Sequence, residues 1–138
     1  MSVQIIVGEQ ASQGDSDPVV RGLQAYNEAR VGTEAGRPIA VSAYDGGVLL
    51  GGLVGVTQWC WLYIRHLWVS EDVRRHGVES QILATAGTVA RSRGCRAVWL
   101  NTFSYQAPGF YKAIGYEEFG VLEDCPPGEA FYFLWKSL

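Results

Sequence analysis

A chain of 138 residues with 48% hydrophobic content can bury one core and is too short for two ordinary domains. Its net charge of −3 argues against a nucleic-acid binder, which normally carries a basic excess on one face. Three cysteines, Cys60, Cys95 and Cys125, without a Cys-x-x-Cys pair or histidine spacing, suggest neither a disulfide framework nor a metal site and fit a reducing cytoplasm.

Met1 to Glu9 lacks the basic start and long apolar run of a secretion signal and reads as a first strand. Asp15-Ser16-Asp17-Pro18 reads as a helix start, with a carboxylate or hydroxyl cap before a proline that needs no N–H partner. That helix runs to about Val31, with Val19, Val20, Leu23 and Tyr26 on its apolar side. Pro38 to Tyr44 and Val48 to Gln58 read as a hairpin around Asp45-Gly46-Gly47, and their near-continuous apolar runs predict burial on both faces. Gly46 to Ile64 approaches the length of a membrane-spanning helix, but its five glycines among β-branched and aromatic residues favour strands, and no basic flanks orient it.

Trp59 to Val69 is the next strand. It feeds a turn carrying Arg74, Arg75, His76 and Gly77, after which Val78, Ile82, Leu83, Ala86, Val89 and Ala90 recur at helical spacing up to Arg93, and Gly94 ends the helix. Cations at the positive end of a helix dipole each cost roughly 0.3–1 kcal/mol without an anion nearby, so this turn reads as a phosphate or pyrophosphate cradle. Cys95 to Leu100 is a short buried strand, completing a crossover that is right-handed if the two strands are parallel neighbours. Asn101 to Gln106 reads as a loop, Ala107 to Ile114 as a short helix stopped by Gly115, and Tyr116 to Leu122 and Ala130 to Lys136 as two last strands.

Leu67-x-Val69-x-Glu71-Asp72-Val73-Arg74-x-x-Gly77-Val78-x-x-x-Ile82-Leu83 resembles the acyl-CoA-binding segment of the GNAT superfamily of N-acetyltransferases, whose loop reads Arg/Gln-x-x-Gly-x-Gly/Ala. Glu79 stands where the family places Gly or Ala. Ala107-x-x-x-Tyr111-x-x-x-Gly115-Tyr116 is similar to a second motif of the same family, in the same order and on the expected elements. The segments around Asn101 to Tyr111 and Gly120 to Gly128 look like those of small bacterial members of mostly unassigned substrate.

The resemblance implies a single α/β (α+β) domain over residues 1–138, a mixed central sheet of about six to seven strands flanked by helices. It implies a cytoplasmic N-acetyltransferase moving acetyl from acetyl-CoA to a primary amine of a small molecule by direct transfer, with no metal, nucleic acid or membrane, and a possible homodimer through an open strand edge. The pyrophosphate would lie on Arg74, Arg75, His76, Gly77, Val78, Glu79 and Ser80, and the pantetheine arm along Leu67, Trp68 and Val69. The usual proton donor to the departing thiolate maps onto Tyr111, and Ser104 takes the place of a frequent cofactor-binding Asn. The base is open. Strand alternation puts Tyr63 and Arg65, neither a neutral-pH base, with Leu67 and Val69, and puts His66 on the other face, where it stays a candidate beside a water relay. Trp59, Trp61, Tyr63, Trp68 and Tyr105 are candidates for an aromatic acceptor pocket, and Glu117, Glu118, Glu123, Asp124 and Glu129 for attracting a cationic amine. Glu79 and the missing base leave an alternative, a GNAT-fold module that binds acyl-CoA without turnover.

Overall fold

In the computed structural model, which describes residues 1–9 and 17–138, the chain divides into two compact units, Met1–Glu34 and Ala35–Leu138. The first contains helix α1 (Pro18–Val31). The Asp17 carboxylate accepts from the N–H groups of Val19 (2.8 Å) and Val20 (3.4 Å), two of the donors a helix start leaves over. Residues 15 and 16 of the expected start lie outside the described residues. Residues 1–9 form no strand, contrary to expectation. An apolar β-branched run records a fit to a pleated, half-buried surface, but a strand also needs a ladder partner, which composition does not supply.

The second unit holds strands β1 (Arg37–Asp45), β2 (Val48–Gln58), β3 (Trp61–Val69), β4 (Ala97–Phe103), β5 (Glu117–Glu123) and β6 (Ala130–Ser137), in one sheet of order β1-β2-β3-β4-β6-β5. Only β3 and β4 among neighbours run parallel. Helix α2 (Val78–Ser92) connects β3 to β4 and α3 (Pro108–Ala113) connects β4 to β5. Both crossovers step the same way across the sheet, so their right-handedness puts both helices on one face. The core lies there: Ile82, Ala86 and Ala90 of α2 and Tyr111 of α3 pack with Leu53, Leu62, Leu100 and Leu134 from the strands.

Helix α2 ends as its sequence demands. Gly94 adopts φ 83°, its N–H donates to the Arg91 carbonyl (2.9 Å), and that of Cys95 to Ala90 (2.9 Å). Arg93 reaches past the end to donate to the Arg37 and Pro38 carbonyls (3.1 and 3.0 Å), tying α2 to β1.

Three expectations change. The strand expected from Trp59 begins at Trp61, because Trp59 (φ 50°) and Cys60 (φ 65°) form a two-residue left-handed turn between β2 and β3. β1 alternates, with Ile39, Val41 and Ala43 turned inward and Ala40 and Ser42 exposed, so these strands are not buried on both faces. β4 continues to Phe103, three residues further than expected, because β6 pairs with it along the whole length.

Candidate active site

β3 and β4 pair in parallel only from Trp61–Ala97 to Ile64–Leu100, although both run on, to Val69 and Phe103. A gap opens beyond that point. The same place carries a β-bulge: on β2, Gly55 faces Ile64 but Val54 faces His66, so Arg65 is the extra residue. Between the diverging strands lies a cleft of about 680 Å³, bordered by Arg74, Glu79 and Tyr111 at one side and by Tyr63, Tyr105 and Phe131 at another.

The bulge corrects the faces read from alternation. Leu62 and Ile64 point into the core before it, and Leu67 and Val69 after it, so the odd and even positions exchange sides. Tyr63, His66 and Trp68 therefore share the face away from α2, with Val56, Val54 and Gly52 as their cross-strand partners. His66, expected on the wrong face, lines the cleft.

The gap also leaves main-chain donors. Ser70 donates its N–H to the Leu50 carbonyl (2.8 Å), so in an antiparallel ladder Trp68 likewise bonds β2, and Val69 and Leu67 direct their N–H and C=O groups away from it. They face the side from which β4 has diverged. An extended ligand can occupy that missing strand position.

The chain then makes a 3-10 turn at Glu71–Val73, passes Arg75 at φ 67° and Gly77 at φ 80°, and enters α2. Gly77 is the N-cap and has no side chain to cap with, so the N–H groups of Gly77, Val78, Glu79 and Ser80 are the four a helix start leaves without intrahelical acceptors. With Arg74, Arg75 and His76 in the turn before them, these donors have the make-up of an anion cradle. Arg74 pairs with Glu71 at 3.9 Å, both well exposed, a contact worth about 0–1 kcal/mol that an anion can displace.

Tyr111 is 9% exposed and meets the rings of Phe110 and Tyr116 edge-on. Burial first, then the charge of Glu79 and the neighbouring Tyr116, hold its phenol well above the ordinary range, and burial pushes Tyr116 up to about 12. Both stay protonated at neutral pH.

Of the expected site residues, Leu67, Trp68, Val69, Arg74, Glu79 and Tyr111 border one cleft, and Arg75, His76, Gly77, Val78 and Ser80 form the turn beside it. Ser104 does not itself border the cleft, although Phe103 and Tyr105 on either side of it do. Its hydroxyl donates to the Glu129 carboxylate and accepts from the Ala130 N–H (2.9 Å), which ties β4 to the start of β6. The acidic residues proposed to attract an amine do not border the cleft: Glu118 binds Lys112 (3.2 Å) and Asp124 accepts from the Gly128 N–H (2.7 Å). Of the aromatics, Tyr63, Trp68 and Tyr105 border it, whereas Trp61 lies with Trp99, Phe119 and Trp135 in a second hollow of about 750 Å³. Sequence reading missed Asn101, whose side-chain amide donates to the Tyr63 hydroxyl (3.2 Å) at the cleft. A polar residue at the end of an apolar strand was the available signal.

A mixed sheet split between its two parallel strands, with an anion cradle where one strand hands over to a helix, defines the class: this is an acetyltransferase of the GNAT family, and residues 9–116 match the model for that family. The chain is 36% identical over 134 residues to the blasticidin-S acetyltransferase of Streptomyces morookaense, covering 94% of this chain and 95% of that protein. It is 33% identical over 132 residues to the acetyltransferase Atu2258 of Agrobacterium fabrum, covering 95% and 93%. The crystal structure of an acetyltransferase from Bacillus cereus matches with a TM-score of 0.86 at 33% identity, over 96% of this chain and 98% of that one. No helix among the described residues is long and apolar enough to cross a membrane, and no cluster of His, Cys, Asp and Glu among them is grouped to hold a metal ion.

Proposed function

We propose that the protein transfers the acetyl group of acetyl-CoA to a primary amine of a small molecule, in one step and without an acyl-enzyme. The observation that carries this reading is the row of outward N–H groups on Leu67 and Val69, continuous with the cradle at Arg74 to Ser80 and overlooked by the Tyr111 phenol. The diphosphate rests in the cradle and the pantetheine arm takes the missing strand position. The thioester then lies in the gap, where main-chain donors stabilise the oxyanion formed when the amine adds. Tyr111 donates to the sulfur as it leaves. The setting we propose is the cytoplasm, where the thiols of Cys60, Cys95 and Cys125 would stay reduced.

The test is release of CoA thiol by purified protein given acetyl-CoA and a panel of amines. Blasticidin S comes first, because it names the relative from Streptomyces. Tyr111→Phe keeps the buried ring and should lower kcat at least tenfold, with the KM for acetyl-CoA changed less than twofold. An unaltered kcat removes Tyr111 from the reaction.

Glu79 favours a second reading. Its carboxylate borders the cleft close enough to act on Tyr111, on the side where the anionic ligand enters. A module that binds acyl-CoA without turnover fits that charge. Calorimetry showing tight acetyl-CoA binding, with no thiol released on any amine, would favour it.

A further inference from the structure

We propose that His66 is the base that removes the acceptor's proton, an inference that rests on the transferase reading above. The gap between β3 and β4 opens through the sheet and so has two mouths. On one face lie α2 and α3 with Glu79 and Tyr111, where the sulfur's proton donor sits. The bulge at Arg65 turns His66 onto the opposite face, in the same cleft and exposed to solvent. A thioester lying in the gap therefore has an acid on one side and an imidazole on the other, so the amine enters where its proton can be taken up.

The chemistry needs this placement. An acceptor nitrogen becomes far more acidic once its lone pair is bonded to the carbonyl carbon, so an imidazole can deprotonate the adduct although it cannot readily deprotonate the free ammonium ion. The C–N bond forms as the carbonyl π pair moves to oxygen. The oxygen's pair then re-forms the carbonyl as the C–S bond breaks, sulfur leaves as a thiolate held by the Tyr111 hydrogen bond, and the nitrogen proton passes to His66. His66 releases its proton to water, and the thiolate takes one from water. Amine and acetyl-CoA become acetamide and CoA thiol, with nothing left over.

The surroundings fit. On the face His66 occupies, β2 presents Val54 and Gly52 and β1 presents Ala40 and Ser42, none of them titratable. From β4 that face carries Asn101 and Phe103. Charged and titratable groups bordering the same cleft are Tyr63 and Arg65 of β3, Arg74 of the turn, Glu79 of α2, and Tyr105 and Tyr111 after β4. Of these, Glu79 is the one other neutral-pH base, and it lies beside Tyr111.

The experiment compares wild type, His66→Gln and His66→Ala on the best amine from the panel at one pH. His66→Gln should lower kcat at least thirtyfold with the KM for acetyl-CoA within twofold. Added imidazole should restore part of the His66→Ala rate and leave wild type unchanged. Turnover that His66→Gln leaves intact, or a His66→Ala rate that imidazole does not raise, overturns the role of His66 while leaving the transferase reading standing. Absence of wild-type turnover on every amine overturns both.

Discussion

A phenol of ordinary pKa near 10 facing a thiol of about 8.5 gives up its proton uphill by about 2 kcal/mol. Burial of Tyr111 widens that gap, so in the proposed reaction it serves by donating a hydrogen bond to the sulfur as charge accumulates. The same burial makes a stability prediction. Tyr111 and Tyr116 have folded pKa values above those of the unfolded chain, so above pH 10 the unfolded chain sheds its protons first and folding weakens. For Tyr116, raised from 10.0 to about 12, the stability lost between those values is about 3 kcal/mol. Urea midpoints should be level from pH 8 to 9.5 and fall steeply from 10 to 11.5, and Tyr116→Phe should flatten the fall. A level midpoint to pH 11.5 in wild type would mean that water reaches both rings. Glu79 also acts on charge. As a first-turn acid it favours the α2 dipole by roughly 0.3–1 kcal/mol, but a phosphate within ~4 Å would feel repulsion of about 4 kcal/mol at an effective dielectric near 20. Glu79→Gln should therefore lower Tm slightly and tighten CoA several-fold in low salt, with less gain in high salt. Calorimetry showing weaker binding would instead make Glu79 a ligand contact.

At the scale of elements, β2 is what allows β3 to bulge. A Cβ on Gly55 would stand 2.2 Å from the Tyr63 carbonyl oxygen, and one on Gly51 would stand 2.6 Å from that of Trp68, so the two backbones approach too closely for any side chain. Gly55→Ala should cost about 1–3 kcal/mol in urea unfolding. It should also lower kcat beyond what that loss explains, because the carbonyl it pushes lies two residues before the bulge. Gly77 differs. Nothing lies within 4 Å of its would-be Cβ, so Gly77→Ala meets only the strain of φ 80°, and Gly77→Asn should recover most of the loss. Equal stability for wild type and both Gly77 variants would show that the left-handed turn is not needed. These elements were unequally legible in the sequence. Helix α2, its Gly94 stop and the basic turn could be read because each depends on local spacing and on residues with fixed conformational habits. The bulge could not: no glycine or proline marks Arg65, and alternation on paper continues through it. The Trp59-Cys60 turn was hidden likewise, since residues of high strand propensity occupy left-handed positions. Divergence of β3 from β4 belongs to a pair of strands rather than to either one, and a period in one chain segment does not encode it.

For the whole molecule, the sheet is two three-stranded halves, β1-β2-β3 and β4-β6-β5, joined along a short parallel ladder from Trp61–Ala97 to Ile64–Leu100. A pantetheine arm bonded to the outward groups of Leu67 and Val69 would extend that seam, so its binding should register in global stability as well as locally. A ligand that binds only the folded chain stabilises it by about 2.7 kcal/mol at a hundredfold excess over its Kd. For a protein of 138 residues that raises Tm by roughly 9 °C. Scanning calorimetry with CoA should show this rise without any acceptor present, which separates binding from turnover. On the proposed placement the nucleotide part alone, 3′-phospho-ADP, would occupy the cradle and leave the gap empty, so at equal concentration it should give a smaller shift. Hydrogen exchange supplies the location: the amides of Leu67 and Val69 should slow with CoA and not with the nucleotide, whereas those of Gly77 to Ser80 should slow with both. Equal shifts and equal protection with the two ligands would mean that the split between β3 and β4 binds nothing, and that the cradle alone accounts for affinity.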